Sequence, residues 1–265
     1  MWKLNWITES DFRIHVKATI QQYGESLQSY NLERFNRNII DPIKMLFDKT
    51  VYQSSWAEIV KNEVFRQRDK TNNNTIGYFH QKIFQYIDSC VVPAEGWDVI
   101  FSPDCGIELP TGDRVSSAFV EMKNKHNTMN AASSARTYMK MQNQILSNDD
   151  CCCLLVEAIA KQSQNIKWET TVDGRRLSHR LIRRVSMDQF YSMVVGERNA
   201  YYEMCMVLPE VIEDVVSNRE IAIPEDTVFS ELSTNANRYG SMVLAFYLLG
   251  FGDYSGFKDS IQPNL

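Results

Sequence analysis

The apolar periodicity of this chain changes at Pro93, and that change limits the folds open to it. Before Pro93 the apolar residues recur at helical spacing; after it they fall into short runs of strand length. Thr8 and Ser10 stand as caps ahead of a helix reaching about Leu27. Asp41-Pro42 sets a cap before a proline at the first helical position. Ser55 precedes Trp56, Ile59, Val60 and Val64, again at helical spacing. The polar stretch Thr71-Asn72-Asn73-Asn74-Thr75 reads as a break before another helix, with Ile76, Phe79, Ile83 and Ile87 on one face.

Beyond Pro93, strands are expected at Trp97–Phe101, Gly106–Leu109, Ser117–Lys123 and Cys151–Ala158, with a helix from about Asn130 to Leu146. Asp173-Gly174 is a hairpin-turn signal between Trp168–Val172 and Leu177–Val185. Ser186 heads a helix ending at Gly196, Pro209 is expected to restart one running to about Val216, and Glu231–Leu249 reads as a last apolar helix. The layout is one domain over residues 1–265. Its residues 1–92 are mainly helical, 93–185 form the sheet region and 186–265 are helical again. That order implies an α/β fold, a mixed central sheet flanked by helices, with helical N- and C-terminal additions.

Composition narrows the setting. No run approaches the roughly 20 apolar residues that a membrane-spanning helix needs, and Met242–Phe251 reads as a buried helix. The residues Met1-Trp2-Lys3-Leu4 lack the apolar run of a secretory signal, so a cytoplasmic setting with no membrane partner is expected. The six cysteines agree, because three are consecutive (Cys151, Cys152, Cys153) and none is spaced for zinc. These three read as small hydrophobes of a buried strand. The net charge of −5 counts against a nucleic-acid partner, but affinity for phosphates follows the local distribution of charge. Arg175, Arg176, His179, Arg180, Arg183 and Arg184 form an acid-free basic stretch, either a solvated strand face or a phosphate contact through Arg180 and Arg183.

The stretch that carries chemistry runs from Asp98 to Lys123. Side chains alternate along a strand, so Glu121 and Lys123 share one side and Met122 takes the other. A strand beginning at Asp98 could set its carboxylate beside Glu121. Two carboxylates so close are costly unless a cation lies between them, and carboxylate oxygens suit Mg²⁺. A lysine two positions on can orient an attacking water and stabilise developing charge. Glu-x-Lys alone is weak, since an edge strand with a solvated face carries the same pattern.

The run Glu121-Met122-Lys123-Asn124-Lys125-His126-Asn127-Thr128-Met129-Asn130, preceded by Gly96-Trp97-Asp98-Val99-Ile100, resembles type II restriction endonucleases that cleave GGNCC or GGWCC. Ile76-Gly77-Tyr78-Phe79-His80-Gln81, Phe190-Tyr191 and Val195-Gly196 fit too, so the resemblance covers about residues 60 to 215. It implies a PD-(D/E)XK nuclease core, Mg²⁺-dependent hydrolysis of double-stranded DNA leaving 5′-phosphate ends, and a homodimer on a near-palindrome. It also implies a cognate DNA methyltransferase that protects the same site. Asp98 and Glu121 would bind the metal with the Met122 carbonyl, and Lys123 would position the water. The literal Pro103-Asp104 pair competes for the first acid, but an apolar strand follows Asp98 directly, whereas Asp104 sits in a turn.

Two polar clusters are candidates for DNA contact. Asn124, Lys125, His126, Asn127 and Asn130 follow the Glu-x-Lys strand, and Arg66 and Lys70 end a helix. The bland readings are a polar loop capped by Asn127 or Thr128 and a solvated helix end. Glu63 is a further candidate acid, His126 reads as a loop histidine, and His80 is expected to be buried and satisfied. Two alternatives stand beside restriction: a structure-specific or repair nuclease of the same fold, and a non-catalytic DNA-binding or assembly protein.

Overall fold

Cys151–Val156 lies entirely out of solvent, and a strand buried on both faces must be sandwiched between layers. The computed structural model describes residues 2–217, 225–255 and 257. Its helices are α1 (Glu9–Ser26), α2 (Leu32–Arg37), α3 (Pro42–Val51), α4 (Trp56–Lys82), α5 (Ala131–Ser147), α6 (Met187–Val195), α7 (Ala200–Ser217), α8 (Val228–Tyr239) and α9 (Met242–Phe251). The strands are β1 (Cys90–Val91), β2 (Val99–Phe101), β3 (Ile107–Glu108), β4 (Arg114–Val115), β5 (Ser117–Lys125), β6 (Cys151–Ile159), β7 (Asn165–Val172) and β8 (Arg175–Ser186). Backbone contacts divide the chain into two units, 1–21 with 73–219 and 22–72 with 220–265.

The first unit holds a mixed six-stranded sheet in the order β1-β2-β5-β6-β8-β7. β5, β6 and β8 run parallel, while β1, β2 and β7 join antiparallel. A parallel pair needs a long crossover, and α5 supplies it between β5 and β6. The alternation of β6 is then consistent: Cys152, Leu154 and Val156 pack with Phe84, Phe190 and Tyr191. Cys153 and Leu155 pack with Tyr138 and Met141 of α5 and with Trp168. β7 and β8 are joined through Asp173 (φ 48°) and Gly174 (φ 74°), the left-handed pair that a tight hairpin demands.

The second unit is helical around Phe35, Ile40, Met45, Val60, Val64, Val228 and Phe246. Asp41 caps α3 by accepting from the N–H groups of Ile43 and Lys44, both at 3.1 Å. Ser55 and Glu58 form a reciprocal capping box, and Thr8 accepts from the Asp11 N–H at the start of α1.

Four expected boundaries are corrected. The asparagine run does not break the chain, because α4 continues through it; asparagine lowers helix propensity by well under 1 kcal/mol per residue and removes no backbone donor. Pro209 lies inside α7 rather than starting a helix. Its missing hydrogen bond costs about 3 kcal/mol, and buried Met204, Val207 and Val211 hold the helix on either side. Glu231–Leu249 is two helices, parted where Gly240 turns left-handed at φ 73°. The cap of α5 is Asn130, accepting from the Ser133 N–H at 2.8 Å, rather than Asn127 or Thr128. Met242–Phe251 is half-buried, with only Ala245 and Phe246 fully covered, and no helix among the described residues is long and apolar enough to cross a membrane.

Candidate active site

β2 pairs antiparallel with β5, Val99 opposite Val120. One further step of that register sets Asp98 opposite Glu121, on the same side of the sheet. The Asp98 carboxylate accepts from the Met122 N–H at 2.6 Å, and the Asp98 N–H donates to the Val120 carbonyl at 3.0 Å. Glu121 is held from two sides. Lys123 Nζ lies 2.8 Å from one carboxylate oxygen and Lys140 Nζ 2.7 Å from the other. Asp98, Glu121 and Lys123 line a cavity of about 460 Å³ together with Asn74, Gly77, Tyr78 and Gln81 of α4.

The two carboxyls respond oppositely to this setting. Burial pushes Asp98 up and the charge of Glu121 adds to it, against the Met122 N–H and the two lysines. Burial also pushes Glu121 upward, but hydrogen bonds from Lys123 and Lys140 outweigh it and hold the group below its ordinary value. Asp98 is thus the acid whose charge lacks compensation. A hard cation accepting carboxylate oxygens would supply it, and a pair of carboxylates completed by waters and a phosphate is a set that Mg²⁺ takes. The residues present fit such an ion, although no group of three or more His, Cys, Asp or Glu side chains occurs among the described residues.

Asp104 lies in an exposed turn and lines a different cavity, with Arg114 and Asp150. Glu63 belongs to the second unit, where Arg66 and Gln67 hold its carboxylate. Lys70, also in that unit, is exposed. Lys125, the last residue of β5, and Asn127 beyond it are exposed, whereas Asn130 caps α5. Asn124 donates to the Asn73 carbonyl at 2.8 Å, and a Cβ on Gly77 would meet its side chain at 3.2 Å. A side chain at position 77 would therefore press on Asn124 and its bond to Asn73. His126 turns its Nδ1 inward without a partner, and so does His80, which burial holds to a pKa of about 4. His80 is half-buried rather than buried, its Nδ1 is unsatisfied, and it sits neutral beside the cleft.

The basic stretch on β8 separates residue by residue. Arg183 is buried, holding the Asn165 side chain and backbone carbonyl, so it is withdrawn from any phosphate. Arg184 pairs with the sealed carboxylate of Glu157, and Arg176 pairs with Glu169. Arg180 is exposed, with its Nε 2.8 Å from Asp113. One site residue carried no sequence signal: Lys140, placed by the α5 crossover. Gln81 belongs to the Ile76–Gln81 segment of the resemblance, which assigns it no role; its amide donates to the Asp98 backbone carbonyl at 3.2 Å.

Comparison with known proteins bears on this geometry. The family model described as Eco47II restriction endonuclease matches residues 4–217. This chain belongs to that family. It is 28% identical over 224 residues to the type II restriction enzyme Sau96I of Staphylococcus aureus, covering 82% of each chain. It is 27% identical over 229 residues to the type II restriction enzyme Eco47II of Escherichia coli, covering 82% of this chain and 89% of that one. The match reaches back to Leu4, well before the segments that carry the resemblance in the sequence. The mixed sheet is accordingly the core of a PD-(D/E)XK restriction endonuclease, a site-specific deoxyribonuclease.

Proposed function

We propose that the protein is a type II restriction endonuclease that hydrolyses double-stranded DNA at a GGNCC- or GGWCC-like site, dependent on Mg²⁺. The observation that carries the reading is the meeting of Asp98, Glu121 and Lys123 in one cleft, in a chain of the Eco47II restriction endonuclease family. Asp98 and Glu121 would hold the ion with the Met122 carbonyl. A bound Mg²⁺ supplies Lewis-acid stabilisation of charge on the phosphate oxygens. Lys123 orients the attacking water behind the phosphorus. The new P–O bond forms as the bond to the 3′ oxygen breaks, leaving 5′-phosphate and 3′-hydroxyl ends. Lys125, Asn127 and Arg180 are exposed where DNA could meet them, Arg180 by leaving its surface pair with Asp113, whereas Asn124, Asn130 and Arg183 hold the fold.

A near-palindromic site calls for two copies related by a two-fold axis, and so for a homodimer. The cytoplasm and a protecting methyltransferase follow from the same reading. Digestion of DNA of known sequence, with the ends mapped, tests it. Discrete fragments should appear with Mg²⁺ or Mn²⁺ and vanish on chelation, and Ca²⁺ should support binding with little cutting. Undiminished cutting in excess EDTA would remove the metal. Smeared products or a preference for branched DNA would point to a repair nuclease instead.

A further inference from the structure

Both carboxylate oxygens of Glu121 are occupied by ammonium groups, and the two come from different elements. Lys123 follows two residues along β5, and among the described residues its Nζ has no hydrogen bond besides that to Glu121. Lys140 reaches over from α5 and has partners besides Glu121. Its Nζ donates to the Gly96 carbonyl at 2.5 Å and lies 4.0 Å from the centroid of the Trp97 ring. Asp98, Glu121, Lys123 and Lys140 have formal charges that sum to zero, and both ammonium groups sit on Glu121, so among the described residues of the site Asp98 alone offers a cation a carboxylate that no ammonium holds.

We propose that Lys140 is a positioning residue that occupies one oxygen of Glu121 until DNA arrives, making divalent-cation binding weak in the free enzyme and coupled to DNA. The inference rests on the reading that Asp98 and Glu121 hold the metal. A cation approaching Glu121 must replace an ammonium, and Lys140 is the cheaper one to release. It keeps the Gly96 carbonyl and the Trp97 face, where an ammonium is attracted by the ring quadrupole. A scissile phosphate brings the negative charge that balances the incoming ion. Coupling of this kind is reciprocal, so metal tightens DNA by the same factor as DNA tightens metal.

The sign of the effect separates this role from a merely structural one. A lysine that only braced Glu121 would, on removal, loosen the carboxylate and weaken the cation. A placeholder would, on removal, strengthen it. Mn²⁺ can be titrated into the full-length, DNA-free protein while the signal of the free ion is followed by electron paramagnetic resonance. Lys140→Met should bind Mn²⁺ about tenfold more tightly than the wild type or better, since one ammonium charge has left the cation's neighbourhood. Lys140→Arg keeps the charge and should bind as weakly as the wild type. Lys140→Gln gives a second neutral variant should the methionine protein fail to fold. Equal or weaker Mn²⁺ binding by folded neutral variants overturns the placeholder role. Glu121→Gln tests the metal reading separately: if it leaves Mn²⁺ binding unchanged in the presence and absence of DNA, the metal site itself fails, and the placeholder with it.

Discussion

Glu121 and Glu157 lie on neighbouring strands of one sheet, and their surroundings differ in every respect that matters. β5 and β6 are parallel, with Lys123 opposite Glu157, so the two acids lie within two registers of each other. Glu121 opens onto the cavity and is held by two lysines. Glu157 is 1% exposed and is held by Arg184, whose Nε lies 2.9 Å and Nη2 2.5 Å from the same oxygen. Arg184 also donates to the His126 carbonyl, tying down the loop beyond β5. Lysine is a compact charge on a flexible stem, whereas arginine is a rigid planar fork. One acid is therefore held so that it can exchange partners, the other so that it cannot.

That contrast breaks most sharply under substitution. Glu121→Ala and Lys123→Ala should each lower the cleavage rate by several orders of magnitude while the melting temperature stays near that of the wild type. Single-turnover digestion beside thermal melting measures both. Near-normal cutting by either folded variant would take the catalytic pair away from β5.

Arg184→Ala should do the reverse, leaving a sealed carboxylate without compensation, at a cost of about 3–5 kcal/mol of stability. Chemical denaturation measures it. Arg184→Ala with unchanged stability would mean that Glu157 is not held by this pair.

Asp98→Asn tests the acid beside Glu121. Cleavage should nearly vanish, while Asp104→Asn, exposed in its turn, should retain most activity. The opposite pattern would move the metal site to Asp104. The same variant has a sign on stability. Asp98 is pushed up by burial and by Glu121, so the folded metal-free protein holds this proton more tightly than the unfolded chain. Stability from that proton is full below the ordinary carboxylate range and is lost as pH rises through the raised value. Asp98→Asn cannot ionise, and it should melt higher than wild type at neutral pH without metal. A lower melting temperature would show that the charge is already compensated.

The smallest effect separates Arg180 from Arg183 on β8. Arg180→Ala removes an exposed pair worth under about 1 kcal/mol, and it should weaken specific and random DNA alike, reducing the salt slope by about one. Arg183→Ala should instead cost stability of about 1–3 kcal/mol, because Asn165 loses its buried partner. An unchanged salt slope for Arg180→Ala would return that residue to a solvated face.

Local chemistry was legible in the sequence wherever it acts locally. The caps at Thr8, Asp41 and Ser55, the hairpin at Asp173-Gly174 and the all-apolar run of β6 each depend on neighbours a few residues away, and each stands where the residues implied. The side-chain alternation of β5 likewise put Glu121 and Lys123 on one face. The misread boundaries are those where packing outweighs propensity: the asparagines inside α4 lie between buried Gln67 and Thr75, and Pro209 inside α7 lies between buried Val207 and Val211. The partners of the charges were beyond reach. Nothing near Lys140 in the chain marks it as a neighbour of Glu121. Only the parallel crossover, which lays α5 over the sheet, brings them to 2.7 Å. The basic stretch of β8 divides for the same reason, since strand pairing and burial decide that Arg183 turns inward while Arg180 stays in water.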